Sequence, residues 1–299
     1  MVSIKNVTYG KYGNCLEITN GVVVLKVTTD LGPRIIYYGT QDDNMMFNDT
    51  CDNVNRTNAY FDENFGEGVT WHIYGGHRLW KSPEDEASYF PDNDKVEVEM
   101  LENGAKFSSA YESTTGIRKS ITITMDDDGI VYLDHEFYNF TDDVKKYAMW
   151  ALSVMNKGGT AISPFTKVDT GLLANRNLVF WPYTNICDDR LKITNDYVSL
   201  TQKSVCDGPL KIGTLNTLGE VYFLRGDKLL VKNFEPAKFD GNYVDYSCNV
   251  EFYTSEHIIE VETLSEYMDI APKTSVHHRE TWRLHIADEI FDKIANKIK

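Results

Sequence analysis

The sequence predicts an all-β protein, a single large antiparallel β-sandwich with a short C-terminal helix. Three observations carry that reading. Polar and apolar residues alternate with a period of two through much of the chain. Clusters of turn-forming residues separate these runs, and only one stretch has a helical apolar period. Successive side chains along a strand point to opposite faces of its sheet, so a strand with one buried face alternates in this way. Strands joined by turns, with few helices between them, pair antiparallel and stack as a sandwich.

In chain order, the first clear alternating run is Lys95 to Met100 (KVEVEM). Arg118 to Met125 (RKSITITM) and Val131 to Phe140 follow, then Glu251 to Tyr253, His257 to Leu264 and His278 to His285 (HRETWRLH). Glu102-Asn103-Gly104, Asp126 to Gly129, Asp142-Asp143, Gly158-Gly159 and Phe239-Asp240-Gly241 supply turn chemistry between runs. The helix is predicted from Ile286 onward. Apolar residues fall at 286, 290, 291, 294 and 298, with Asp288 and Glu289 in the first turn and Lys297 and Lys299 in the last, as the helix dipole favours.

The 299 residues fit one domain, residues 1–299: no Pro-rich or Gly/Ser-rich linker and no internal repeat divides them. Lys and Arg number 30 against 45 Asp and Glu, a net charge of −15. Such a surface repels phosphate backbones and anionic lipid heads, which excludes nucleic acid and membrane as partners but not a phosphorylated sugar in a local basic pocket. No apolar run reaches the length that spans a bilayer, and Met1 to Gly13 has no apolar core of a secretory signal. The five cysteines are odd in number and form no CxxC pair. Reduced thiols, and hence a cytoplasmic location, are expected.

Three segments hold residues suited to chemistry. Trp71 to Asp92 (WHIYGGHRLWKSPEDEASYFPD) combines aromatic rings, His77, Arg78 and the Gly75-Gly76 pair. Aromatic faces stack on the C–H faces of a pyranose while charged groups bind its hydroxyls, and paired glycines allow a tight turn or close approach to a ligand. Trp71 and Trp80 as core anchors, with His77 a satisfied interior histidine, account for the composition equally well. Tyr243 to Glu262 (YVDYSCNVEFYTSEHIIEVE) carries Asp245, Glu251, Glu260 and Glu262. Glu260 and Glu262 share one strand face, which is solvated unless both faces of the strand are covered. Trp181 to Arg190 (WPYTNICDDR) sets aromatic rings beside two acids and an arginine, with Asp188 and Asp189 also explained by a surface ion pair.

Other chemistries find no support. The sequence has no GxSxG elbow, no phosphate-binding P-loop and no HExxH helix. His277 and His278 are neighbours on a strand and face opposite ways, so they do not chelate one metal. No metal and no cofactor is expected.

The order of these pieces resembles the galactose mutarotase-like (aldose 1-epimerase) superfamily over roughly residues 15 to 285. Ile73-Tyr74-Gly75-Gly76 is similar to the His-Gly-Gly region of aldose 1-epimerases. Met149 to Thr160 (MWALSVMNKGGT) lies where those enzymes carry an Asn-His strand. Glu260 to Leu264, followed by Ala271-Pro272-Lys273, resembles their closing Glu-Thr and Pro-Gly region. The branch indicated is marked by GGHRLW, WPY and the Tyr-x-Asp-x-x-Cys-Asn stretch that ends at Asn249. The resemblance implies the family's supersandwich fold, an open sugar cleft, and ring opening by a glutamate base and a histidine acid. Glu262 matches the base, and Asp245 lies near a sugar-binding aspartate. Two family histidines are replaced: Tyr74 precedes the glycines, and Ala151, Leu152 and Ser153 occupy the second position. His77, Tyr74 or His72 is left to supply the acid.

The expected function is therefore sugar binding with an aldose 1-epimerase-like isomerisation of a hexose or related sugar. Glu262 and His77 are its catalytic pair, and Arg78, Trp80, Tyr74, Trp181, Asp245 and Asn249 its sugar contacts. The alternative is a non-catalytic carbohydrate-binding or sensor protein on the same fold. His77 and Arg78, Trp181 or its neighbours, and Glu262 with Asp245 are expected to meet in one cleft, whereas a cleft lined only by Trp, Arg and Asn favours the alternative.

Overall fold

The computed structural model describes residues 1–298. Two large antiparallel sheets dominate it. The first runs from Ser3–Thr8 at one edge through Asn14–Thr19, Val24–Thr28, Ile35–Gly39, Gly76–Ser82, Lys145–Met155, Ile259–Leu264, Val250–Thr254 and Leu210–Thr214 to Val179–Phe180. The second runs from Leu191–Ile193 through Tyr197–Thr201, Thr160–Pro164, Glu220–Arg225, Lys228–Phe234, Ser275–Ile286, Val131–Asn139, Ile117–Met125 and Gly104–Glu112 to Glu97–Leu101. Every alternating run is a strand, within two residues of its predicted ends except the last, which begins three residues earlier, at Ser275. No helix among the described residues is long and apolar enough to cross a membrane.

The alternation decides which side chains fill the space between the sheets. Leu25, Met149, Phe252 and Val261 from the first sheet meet Phe107, Ile121, Phe137 and Phe223 from the second in one core, all essentially unexposed. Burying each such side chain is worth about 1.5–3 kcal/mol.

The helix starts later than predicted, at Glu289, and runs to Ile298. Ile286 instead ends the strand Ser275–Ile286, opposite Lys228. Ala287 then takes a left-handed φ of 43°, and Asp288 Oδ1 caps the helix by accepting from the Phe291 backbone N–H at 2.8 Å. Strand pairing thus takes the residue that the helical period claimed. Lys299 lies outside the described residues. The glycine pair also has a different use from the expected one. A Cβ on Gly75 would lie 2.0 Å from the Phe47 carbonyl oxygen, and one on Gly76 2.3 Å from that of Ile35. The pair lets backbone meet backbone, not backbone meet ligand.

A polar network crosses the core between the two sheets. Lys232 Nζ lies 2.9 Å from Glu280 Oε1 and donates to Ser153 Oγ at 3.1 Å. His135 Nδ1 sits 2.8 Å from the His278 carbonyl, so it carries a proton, and its Nε2 accepts from His77 Nε2 at 2.7 Å. His77 Nδ1 then accepts from Ser153 Oγ at 2.8 Å. Thr263 donates to Glu280 Oε1 at 2.5 Å and receives from His278 Nε2 at 2.8 Å, while Trp282 Nε1 donates to Glu280 Oε2 at 2.7 Å. Burial holds the three histidines neutral, with His278 lowered to about 3. Burial disfavours the Glu280 charge, but Lys232 and the imidazoles override it and hold its carboxyl well below the usual range.

Candidate functional site

The strand Ile259–Leu264 lies inside the first sheet, paired on one side with Lys145–Met155 and on the other with Val250–Thr254. Ile259 and Val261 enter the core and Thr263 reaches the interior network. Glu260, Glu262 and Leu264 therefore point away from the second sheet. The register sets Glu262 opposite Leu152 and Glu251, and Leu152 opposite Arg78. Tyr253 lies opposite both Glu260 and Lys211.

These outward side chains floor a cleft of about 380 Å³, the size of a small ligand site. Its walls are aromatic. Trp71 and Trp80 pack with ring centroids 5.6 Å apart, and Trp80 packs on Trp150 at 5.6 Å and on Tyr89 at 5.0 Å. Trp181, Tyr183 and Tyr253 complete the lining. Arg78 lays its guanidinium over Trp80 at 3.9 Å, and Arg56 lies over Tyr89 at 3.9 Å.

The floor is a cluster of acids around one lysine. Lys211 Nζ lies 2.7 Å from Glu251 Oε2 and 3.2 Å from Glu262 Oε2, which also accepts from Trp150 Nε1 at 2.8 Å. Burial works against the Lys211 ammonium, but Glu251 and Glu262 override it and raise its pKa well above the usual value. Glu260 is half-buried and faces the cleft. Burial, then the charge of Glu262, push its carboxyl up to about 8. Several polar atoms here have no fixed partner: Glu251 Oε1, Glu262 Oε1, Arg78 Nε, Trp71 Nε1 and Trp80 Nε1. Buried groups left this way are costly, and they concentrate where a ligand completes the set.

The structure brings together Arg78, Trp80 and Trp181, which line the cleft, and buries Glu262 behind its lining residues Trp150 and Lys211. It separates the others. His77 is unexposed on the core side of its strand, because Arg78 and Trp80 take the cleft side, so it faces away from Glu262. The expected Glu262–His77 pair is thus divided by the sheet. Glu262 itself is fully covered beneath Glu260 and Lys211 and does not line the cleft. Tyr74 donates to Asn93 Oδ1 at 2.6 Å and packs over Arg34, outside the cleft. Asp245 lies in a turn of left-handed residues with Tyr246 and Ser247. Asn249 is buried and ties down a loop, accepting from the Asn216 N–H and donating to its carbonyl. Asp188 forms the expected ion pair with Arg190, at 2.9 Å.

Sequence reasoning missed Lys211 and Trp150 and passed over Glu260 in favour of Glu262. A lysine in the run Leu210–Thr214 and a tryptophan in Lys145–Met155 were the available signals, since both interrupt strands buried on each side. His77, His135 and Glu280 bring ligand-type atoms within 4.8 Å of one another, but those atoms are engaged by each other and by Lys232, Thr263 and Trp282.

No protein-family model matches the sequence, and no match was found among curated proteins. Solved structures do match. A galactose mutarotase-like protein from Lactobacillus casei aligns with a TM-score of 0.58 at 9% identity, over 91% of this chain and 100% of that one. A candidate aldose 1-epimerase from Klebsiella pneumoniae aligns with a TM-score of 0.56 at 12% identity, over 99% and 87%. A TPR-domain-containing protein from Parabacteroides distasonis aligns with a TM-score of 0.62 at 10% identity, over 92% of this chain and 48% of that one, about half its length. The chain has the galactose mutarotase-like fold, as the resemblance in its sequence implied.

Proposed function

We propose that the chain binds a small sugar in this cleft and isomerises it at the anomeric carbon, in the manner of an aldose 1-epimerase, with Glu260 as the proton-transferring group. One observation carries the reading: a carboxyl group that burial and the charge of Glu262 push up to about 8 faces an aromatic-walled cleft. Proton transfer is most efficient when the catalytic pKa lies near the working pH. A protonated carboxyl offers an O–H donor and an acceptor oxygen side by side. Glu260 gives its proton to the ring oxygen while its other oxygen takes the anomeric hydroxyl proton. The C1–O5 bond breaks, the aldehyde forms, and closure on the other face runs the same transfers backward. Glu262 acts through Glu260, as a positioning residue that keeps the proton in place. Polarimetry of freshly dissolved α-sugars tests the reading, and no acceleration over buffer across a sugar panel removes it. In Glu262→Gln the charge that raises Glu260 is gone, so activity is expected to fall away at a lower pH than in the parent. An unshifted profile would strike Glu262 from the site.

A second reading, sugar binding without catalysis, is favoured by the orientation of His77, which leaves the cleft without that imidazole. Tight binding with no change in optical rotation would establish it.

A further inference from the structure

We infer that the sugar taken by this cleft carries an anionic group, a carboxylate or a phosphate, bound by Arg78 with Arg56 beside it. The inference rests on the sugar-binding reading above and names its substrate class.

The other buried cations of the protein all have acid partners. Arg34, Lys81, Lys119, Arg190, Lys211 and Lys232 are each almost wholly covered, and each is ion-paired: to Asp92, Asp85, Glu112, Asp188, Glu251 and Glu280 respectively. Arg78 is as deeply covered, at 2% exposure, yet forms no ion pair among the described residues. It makes one hydrogen bond, from Nη1 to the Ile73 carbonyl at 3.4 Å, and its Nε has no partner. Stacking on Trp80 and Trp71 returns only part of what burying a guanidinium costs. Burial, and next to it the charge of Arg34, lower its pKa to about 9, so it remains a cation at neutral pH.

The carboxyl group that shares the cleft does not neutralise it. Glu260 keeps its proton to about pH 8. Arg56, also on the cleft wall, stacks on Tyr89 and likewise forms no ion pair among the described residues. Two guanidinium groups outside any ion pair among the described residues thus face one cavity, beside rings suited to a pyranose; the Glu84 carboxylate on the same wall is bonded to the Tyr89 hydroxyl instead. The guanidinium fork binds the oxygens of a carboxylate or phosphate two at a time. An anion on the sugar would supply the charge that the protein gives to every other buried cation.

Titration calorimetry of the full chain at pH 6.5 tests this with glucose, galactose, their uronic acids, their 6-phosphates, and inorganic phosphate and acetate alone. At least one acidic sugar is expected to bind tenfold or more tighter than its neutral parent, and the arm that does so identifies carboxylate or phosphate. Arg56→Gln, an exposed site expected to fold, should weaken the acidic sugar severalfold more than it weakens the neutral parent. Arg78→Gln should abolish the preference; should that variant fail to fold, parent selectivity and Arg56→Gln decide. Neutral sugars binding as tightly as every acidic form would overturn the inference and leave the sugar cleft standing. Phosphate or acetate alone binding as tightly as any acidic sugar would overturn it too. If no sugar on the panel binds, both readings fall.

Discussion

Two clusters of buried polar groups lie on opposite faces of the same sheet, and they are built by opposite rules. On the core side, Lys232, Glu280, Ser153, Thr263 and three histidines close a network in which each donor finds an acceptor. On the cleft side, Glu251, Glu262, Arg78, Trp71 and Trp80 each keep an atom without a partner. A closed network has nothing left to offer a ligand, whereas an open one is unfinished by design of the fold. Histidines drew attention to the first cluster, but the second holds the groups able to act. Residue type alone therefore misdirects: the histidines belong to the closed network, not to the cleft.

The comparison breaks most visibly at its core side. Lys232→Met leaves Glu280 charged and buried without its cation, and a loss of about 3–5 kcal/mol is expected in urea unfolding. A change below about 1 kcal/mol would mean that the interior network is not the closed unit described. On the cleft side the loss should appear in activity instead. Glu260→Gln keeps the shape but cannot exchange a proton, so the isomerase rate should fall by about 10²-fold or more with little loss of stability. Equal rates in variant and parent would leave Glu260 without a catalytic role.

The two clusters also respond to pH in opposite senses. His278 has a folded pKa lowered to about 3 from 6.5, so its contribution is present above pH 6.5 and is lost as pH falls from there toward 3. Glu260 has a folded pKa raised to about 8 from 4.5, so its contribution is complete below pH 4.5 and is lost as pH rises through 8. The stability of Glu260→Gln relative to the parent should therefore climb between pH 4.5 and 8, by at most about 1.4 kcal/mol per unit. A flat difference across that window would mean that the cleft does not perturb Glu260. The smallest effect belongs to the wall: Trp181→Ala should weaken sugar binding by about tenfold or less, since one stacked ring is worth roughly 0.5–1.5 kcal/mol. Unchanged affinity by calorimetry would remove Trp181 from the binding surface.

The strands were legible because a two-residue period is a direct imprint of a half-buried sheet; Val131–Asn139 carries it without interruption, and Ile117–Met125 breaks it only at the bulge around Lys119. The site was legible only in part. Arg78, Trp80 and Trp181 stand in segments whose polar-aromatic mixture is visible in one dimension. Lys211 and Trp150 stand in strands buried over most of their length, and what joins them to Glu262 is pairing with segments far along the chain. The error over His77 has a local cause. Period two assigns residues 77 and 78 to opposite faces, but not which face is the cleft, so nothing in one dimension shows that Arg78 and not His77 faces it. The same parity separates Thr263 from Glu262.

The tryptophans divide along the same boundary. Of the five in the chain, Trp71, Trp80, Trp150 and Trp181 line the cleft, and Trp282 donates to Glu280 in the interior. The protein thus carries its own optical probes, four on one side of the sheet and one on the other. Ligand entry should alter the emission of the four and their access to a soluble quencher, while the fifth stays dark to both until the sandwich opens. A single chromophore type, excited at one wavelength, can then report occupancy and integrity as separate signals.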